Sequence, residues 1–108
     1  MTAKKKLRPR ALRRQSDRDI QKLMRDRARL GALEPGGAPD RPIRITAASE
    51  VEISATGIPC IQCGEEVRVD QHLAETIGTA RLRIAHVSCR ACKATRAIYF
   101  RIDPPLPN

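Results

Sequence analysis

The sequences CIQCG at residues 60–64 and CRACK at residues 89–93 each contain two cysteines separated by two other residues. This spacing lets a tight turn direct both sulfur atoms to one point, while backbone N–H groups in the turn hydrogen-bond the thiolates. Gly64 directly follows the first turn, where a positive φ is often needed, and Lys93 stands at the equivalent place in the second. The candidate metal ligands are Cys60, Cys63, Cys89 and Cys92.

Four thiolates favour one structural Zn²⁺, because they complete a tetrahedral coordination sphere and leave no position for a catalytic water. An iron site of the rubredoxin type would use similar ligands, but such proteins are generally rich in aromatic residues, and this chain has one Tyr and one Phe. The remaining alternatives are incidental buried cysteines, two local disulfides, or a thioredoxin-like redox pair, which would need its CxxC at the start of a helix. We also find no constellation of nucleophile, base and oxyanion donor, so we expect neither an enzyme nor a small-molecule substrate.

The two CxxC sequences, Gly64 and the strand pattern around them resemble the zinc-ribbon superfamily over roughly residues 58–102. The resemblance implies a small β-rich fold of antiparallel hairpins in which the four cysteines hold one zinc ion. It implies no particular partner, since zinc ribbons bind DNA, RNA, polymerases and other proteins.

Charge and composition divide the 108 residues unevenly. The net charge is +9, and residues 1–42 hold 13 basic and 5 acidic side chains, whereas residues 43–108 hold 8 and 7. Three prolines and two glycines between residues 34 and 42 would interrupt a helix or a central strand. We therefore expect a basic disordered arm (1–15), a short helix (16–31), a Pro/Gly linker (32–42), a zinc-ribbon β domain (43–102) and a Pro-rich tail (103–108).

Hydrophobic alternation predicts the strands of the β domain. The segments that alternate are 43–45, 51–55, 67–69, 81–84 and 96–102. Residues 70–77 read instead as a short helical turn that begins at Asp70 and ends before Gly78. In the N-terminal part, Ser16 is the expected N-cap of the helix and Gly31 its end, while Pro9 interrupts any earlier helix.

Period-two geometry predicts a cationic face on the sheet, provided that Leu82, Ile84, Ile98, Phe100 and Ile102 point inward. The opposite face would then carry Arg68, Arg81, Arg83, Tyr99 and Arg101. Guanidinium groups on such a face could contact phosphates, and Tyr99 could stack on an exposed base. The alternative is an ordinary solvated strand face, partly neutralised by nearby carboxylates.

The N-terminal arm is the second candidate nucleic-acid site. Its seven cations, which no acidic residue interrupts, are Lys4, Lys5, Lys6, Arg8, Arg10, Arg13 and Arg14. Self-repulsion should keep this stretch extended, and it would bind through phosphates with low sequence specificity. The alternative is that the run of charge serves only solubility.

These patterns predict a small zinc-ribbon protein that binds nucleic acid or a transcription or translation assembly, with the arm providing electrostatic capture. The alternative is a protein–protein adaptor that docks through the ribbon or through residues 17–30. We expect no membrane partner and a cytoplasmic location, because no apolar run has the length of a span and four reduced thiols suit the cytosol. We expect His72 and His86 to be surface or packing residues.

Overall fold

The computed structural model describes residues 8–103. Its elements in chain order are α1 (Pro9–Leu33), β1 (Ile43–Ile45), α2 (Glu50–Thr56), β2 (Val67–Ile77), β3 (Ala80–Cys89) and β4 (Thr95–Ile102). The strands form one sheet in the order β1-β4-β3-β2. Strands β2 and β4 both pair antiparallel to β3, whereas β1 pairs parallel to β4. The sheet is therefore mixed and not built only of the antiparallel hairpins expected from the sequence.

The hydrophobic core lies between the sheet and α2. Val51 and Ala55 of α2 are fully buried, as are Ile98 and Phe100 of β4. The two buried cysteines, Cys60 and Cys89, belong to the same cluster, so the core continues to the CxxC turns. The metal-ligand candidates are thus attached to the best-packed part of the chain.

The strand predicted at residues 51–55 is wrong, because these residues belong to α2. Val51 and Ala55 are buried together at helical spacing, while Ile53 between them is 76% exposed. Glu50 accepts hydrogen bonds from the backbone N–H groups of Thr46 and Ala47, at 2.7 and 2.9 Å, and so stabilises the start of the helix. Apolar residues at positions i, i+2 and i+4 are compatible with the two-residue period of a strand, and those at i and i+4 also with the 3.6-residue period of a helix, so a segment this short does not distinguish them.

The helical turn predicted at residues 70–77 is also wrong, because this segment is part of β2. Its pairing with β3 runs from Val67 opposite Cys89 to Ile77 opposite Ala80, with one register shift between Val69 and Gln71. Pairing in the sheet satisfies backbone groups along the whole segment. Gly78 has a φ of +62° and lies in the two-residue β2–β3 connection, so it begins a hairpin turn rather than ending a helix.

Helix α1 is longer than the predicted helix 16–31 at both ends. It begins at Pro9, where a fixed φ and the missing N–H are compatible with the first helical position. Residues 9–15, expected to be part of the disordered arm, are therefore helical, and Ser16 is not an N-cap. Gly31 lies inside the helix and does not end it. It is buried against the Ile61 side chain, which packs so closely that a Cβ at position 31 would lie only 3.0 Å from it.

The chain between α1 and β1 packs on the sheet. Gly36, with a φ of +82°, donates its N–H to the Arg41 carbonyl at 2.6 Å and accepts the Tyr99 N–H at 2.8 Å. A Cβ at Gly36 would lie 2.8 Å from the Ile43 side chain. These contacts bring the chain to the edge of β4, from which β1 pairs in the parallel direction. At the other end of the described range, Asp103 donates its N–H to the Ile45 carbonyl at 2.8 Å, and residues 104–108 of the predicted tail lie outside that range.

Candidate metal centre

The first CxxC turn, residues 60–64, begins just after the loop that follows α2. The Gly64 N–H donates to the Cys60 carbonyl at 2.8 Å, and Gly64 has a φ of +78°. The Gln62 N–H points to the Cys60 sulfur at 3.4 Å. The predicted positive φ at Gly64 is confirmed, and the turn places both cysteine side chains on one side.

The second CxxC turn, residues 89–93, has the same construction at the end of β3. The Lys93 N–H donates to the Cys89 carbonyl at 3.2 Å, and the Ala91 N–H points to the Cys89 sulfur at 3.4 Å. Lys93 has a φ of +65°, the one positive φ at a non-glycine residue in the described chain. The turn geometry is therefore retained although its last residue carries a side chain.

The four cysteine sulfurs form a compact cluster in which all Sγ atoms lie within 4.8 Å of one another. The Sγ atoms of Cys60 and Cys92 are 3.6 Å apart, and those of Cys63 and Cys89 are 3.4 Å apart, so each close pair joins the two turns. Four sulfurs at about 2.3 Å from a tetrahedral Zn²⁺ would be about 3.8 Å apart. The predicted clustering of the cysteines is confirmed, and their spacing fits a tetrathiolate metal site.

The disulfide alternatives do not fit this geometry, because bonded sulfurs lie about 2.05 Å apart and all four cysteines are free. Cys60 and Cys89 are buried, whereas Cys63 and Cys92 are exposed. The site is therefore anchored in the core on one side and open at the molecular surface on the other. Neither His72 nor His86 belongs to the cluster.

Local hydrogen bonds separate the pKa values of the thiols. The backbone N–H of Cys92 is the main cause that lowers the pKa of Cys89 to about 6; the Ala91 N–H adds to it, and together they outweigh burial. At Cys63 the backbone N–H of Glu65 favours the thiolate, but the neighbouring Cys89 thiolate and burial outweigh it and raise the pKa to about 12. The lowered pKa of Cys89 makes it a thiolate before Cys63 and Cys92, whose pKa values are raised, and a divalent cation among the sulfurs would stabilise the thiolate form of each.

The first CxxC turn also holds α1. The Gln62 side chain donates from Nε2 to the Met24 carbonyl at 2.9 Å, and Arg27 donates from Nη1 to the Gln62 carbonyl. Next to these contacts, Ile61 packs against Gly31. Sequence reasoning missed this role, because Ile61 and Gln62 form no recognisable pattern with residues thirty to forty positions away.

The predicted cationic face does not exist as one surface. Residues that face each other across an antiparallel pair lie on the same side of the sheet. Tyr99 is opposite Ile84, whereas Arg83 is opposite Phe100. Tyr99 therefore lies on one face, and Arg83 lies with Arg81 on the face that α2 covers. The prediction takes the inward-pointing residues of β3 and β4 to lie on the same face of the sheet. In the structure β3 buries Leu82 and Ile84 on one face and Ala85 and Val87 on the other.

The other two arginines share the Tyr99 face and have carboxylate partners. Arg101, opposite Leu82, lies 3.6 Å from Asp103, and Arg68 lies 3.2 Å from Asp70. In the predicted arm, Arg8 precedes α1 and Arg10, Arg13 and Arg14 lie within it, whereas Lys4, Lys5 and Lys6 fall outside the described residues. Among residues 8–103, unpaired positive charge therefore remains at Arg81 and Arg83 of the sheet and is concentrated on α1.

No protein-family model, curated protein or solved structure matches this chain. Within residues 8–103, no helix combines the length and hydropathy needed to cross a bilayer. The class of the protein follows from its geometry: a small mixed sheet with two helices, whose two CxxC turns bring four cysteines to metal-binding distance.

Proposed function

We propose that this is a zinc-ribbon-like, nucleic-acid-binding protein in which four thiolates hold one structural Zn²⁺ and the basic N-terminal part binds phosphates. The cysteine cluster carries the zinc part of the proposal. Its donor set consists of four sulfurs, which would close a tetrahedral site, and each turn offers N–H groups to a thiolate. Such an ion supplies folding energy rather than a reactive water, so we propose no enzymatic activity.

The charge distribution supports the nucleic-acid part. Helix α1 contains eight Arg or Lys residues and three Asp residues, which gives it a charge of +5. None of these eight cations lies within ion-pair distance of a carboxylate in residues 8–103. Uncompensated positive charge in a chain of net charge +9 favours a polyanionic partner. We propose a cytoplasmic location because reduced thiols are the metal-binding form.

The test combines metal analysis with a nucleic-acid titration at several salt concentrations. We expect one zinc per chain and binding whose log–log salt slope is near −5 for about six phosphate contacts on a duplex. Deletion of residues 1–8 removes four cations and leaves α1 complete, so it should make the slope less steep. A chain that binds neither duplex nor single-stranded nucleic acid at low salt would refute the proposal.

A protein–protein adaptor is the second candidate, and the exposed apolar side chains of α1 favour it. Leu12, Ile20 and Leu23 lie on one side of the helix and are 53, 54 and 48% exposed. Exposed apolar residues grouped on one helix face are typical of docking surfaces. Association with one defined protein that survives nuclease treatment, with no affinity of the purified chain for nucleic acid, would favour this candidate.

A further inference from the structure

Helix α1 carries a continuous cationic stripe along one side. At 100° per residue, five side chains fall within one narrow sector of the helix, with spacings of four, four, three and four residues. These residues are Arg14, Arg18, Lys22, Arg25 and Arg29. They extend over about 22 Å of helix axis, and the three aspartates of α1 lie in other sectors. The stripe is therefore a row of like charge, and each of the three aspartates stands at its side, three or four residues from one of its members.

The stripe is accessible and has no ionic partner in the described chain. All five of its side chains are exposed, and no carboxylate in residues 8–103 forms an ion pair with any of them. Within residues 8–103, the hydrogen bonds that hold helix α1 to the first CxxC turn and the sheet lie near its C-terminal end, at Met24, Arg27 and Gly31. Residues 9–23 make no hydrogen bond to the sheet or to α2 in the part of the chain that the structure describes. A ligand as long as the stripe could therefore approach it along its whole length.

The chemistry of the stripe fits a rigid polyanion. Four of its five cations are arginines, whose planar guanidinium groups bind phosphate oxygens through paired hydrogen bonds. Proteins that bind single strands rely on stacked aromatic side chains, and α1 contains none. Helices that lie in the membrane interface carry Trp, Phe or Leu on the apolar side; α1 has exposed leucines but neither Trp nor Phe, and anionic vesicles are therefore one of the ligands compared in the test below.

Helix dimensions distinguish between the two kinds of duplex. An α-helix with side chains is about 10–12 Å wide and fits the major groove of B-form DNA, which is about 12 Å wide. The major groove of A-form RNA is too deep and narrow to admit side chains for reading. Arginine can also bind the edge of guanine, but a row made only of cations suits the evenly spaced phosphates, so we expect binding with little dependence on sequence.

We propose that the cationic stripe of α1 is a binding surface for the phosphate backbone of double-stranded DNA. This inference rests on the proposed nucleic-acid-binding function and locates it on a folded element. It transfers the main contact from the sheet face and the arm predicted from the sequence to the side of a helix. At 100° per residue, Met24, Arg27 and Gly31, which hold α1, lie roughly 150° around the helix from the middle of the stripe, so the DNA would lie on the side of α1 that faces away from the first CxxC turn.

The test measures binding of the full-length, zinc-loaded chain to a labelled short DNA duplex by fluorescence anisotropy over a range of salt concentrations. The stripe variant is Arg18→Gln/Lys22→Gln/Arg25→Gln. The control variant, Arg44→Gln/Arg81→Gln/Arg90→Gln, removes the same charge at three exposed positions of the sheet and the second CxxC turn. Circular dichroism and zinc content check that both variants keep the fold, which exposed Gln substitutions should preserve.

We expect the stripe variant to bind at least about tenfold more weakly than the unmodified chain, with a salt slope less steep by about 2.7, and the control variant to change the slope by less than about 1. A third variant, Arg18→Lys/Arg25→Lys, keeps the charge and should keep the slope. Equal losses of DNA affinity in the stripe and control variants would overturn the proposal. Binding of the unmodified chain to single-stranded DNA, duplex RNA or anionic vesicles that is tighter than its binding to the DNA duplex would also overturn it. If the unmodified chain binds no nucleic acid at all, both the proposed nucleic-acid-binding function and the role of the stripe are refuted.

Discussion

The Gln62 side chain, which lies between two metal-ligand candidates, donates a hydrogen bond of 2.9 Å to the backbone carbonyl of Met24 in α1. A residue of the first CxxC turn thereby holds a helix that starts far from it in sequence. The adjacent contact of Ile61 with Gly31 and the bond from Arg96 to the Gly31 carbonyl, at 3.2 Å, act at the same place. The candidate metal centre and the attachment of α1 therefore share the first CxxC turn.

The first prediction tests this attachment. Gln62→Ala removes a hydrogen bond to a backbone carbonyl, and we expect it to lower the free energy of local opening of residues 24–31 by about 1 kcal/mol. Amide hydrogen exchange should accelerate in residues 24–31 of α1 and stay unchanged in β3. Gln15→Ala, at an exposed position of the same helix, is the matched control and should leave exchange in residues 24–31 unchanged. Equal exchange rates in both variants would contradict the attachment.

The second prediction concerns metal removal. Thiolate coordination links folding to the metal, with apparent binding free energies of roughly 10–16 kcal/mol in small zinc domains. A strong chelator, or Cys89→Ser at the buried ligand, should therefore unfold residues 50–102. Two-dimensional NMR would show loss of the dispersed amide signals of the sheet. A cooperative thermal transition that persists after complete removal of metal would contradict this prediction.

The third prediction compares the last residues of the two turns. Gly64 and Lys93 both have positive φ, a conformation that costs an L-residue about 1–2 kcal/mol. Since a Cβ at Gly64 would contact nothing within 4 Å, Gly64→Ala should destabilise the protein by about 1 kcal/mol through backbone conformation alone. Lys93→Gly should leave it unchanged or stabilise it by up to about 1 kcal/mol. Thermal unfolding with zinc present measures the stability of both variants. Equal destabilisation by Gly64→Ala and Lys93→Gly would contradict the explanation that positive φ favours glycine at both positions.

The fourth prediction separates the helix from the strand at residues 50–56. Val51 is fully buried and Ile53 is 76% exposed. Val51→Ala should cost roughly 2 kcal/mol, because two buried methyl groups are lost, whereas Ile53→Ala should stay within about 0.5 kcal/mol. Urea denaturation gives both values. In a strand that alternates with period two, the two substitutions would be similarly costly.

The fifth prediction concerns pH. The backbone N–H groups of Ala47 and Thr46 lower the pKa of Glu50 below its ordinary value of 4.5. The stabilisation from this carboxylate is therefore complete above pH 4.5 and is lost as the pH falls through the lower pKa of the folded state. Glu50→Gln should destabilise the protein at pH 7, and its difference from the unmodified chain should shrink below pH 4.5. Glu52→Gln is the control, and the Thr46 and Ala47 amide shifts should titrate with a midpoint below 4.5.

The spacing of the cysteines was sufficient to predict the two CxxC turns, because each turn is a local structure whose geometry depends on the residues within it, and the structure brings the four cysteines of the two turns to metal-binding distance. The strands at residues 81–84 and 96–102 were likewise predicted from their alternation of apolar and polar residues, although 81–84 is only part of β3, Ala80–Cys89. The segments at 51–55 and 70–77 were not, because over five to eight residues the apolar positions can fit a helix as well as a strand, and packing against other segments then decides. Val51 and Ala55 pack on the sheet as a helix, and residues 70–77 pair with β3.

The sequence by itself determined the ligand set, the positive φ at Gly64 and the concentration of charge before residue 43, since each depends on residue type and local spacing. Only the tertiary structure decided which arginines share a surface and what the first CxxC turn touches. The register between β3 and β4 separates Tyr99 from Arg83, and the packing of Ile61 on Gly31 holds α1 at the turn. Both are relations between distant segments, and side-chain packing, which no local pattern encodes, selects them.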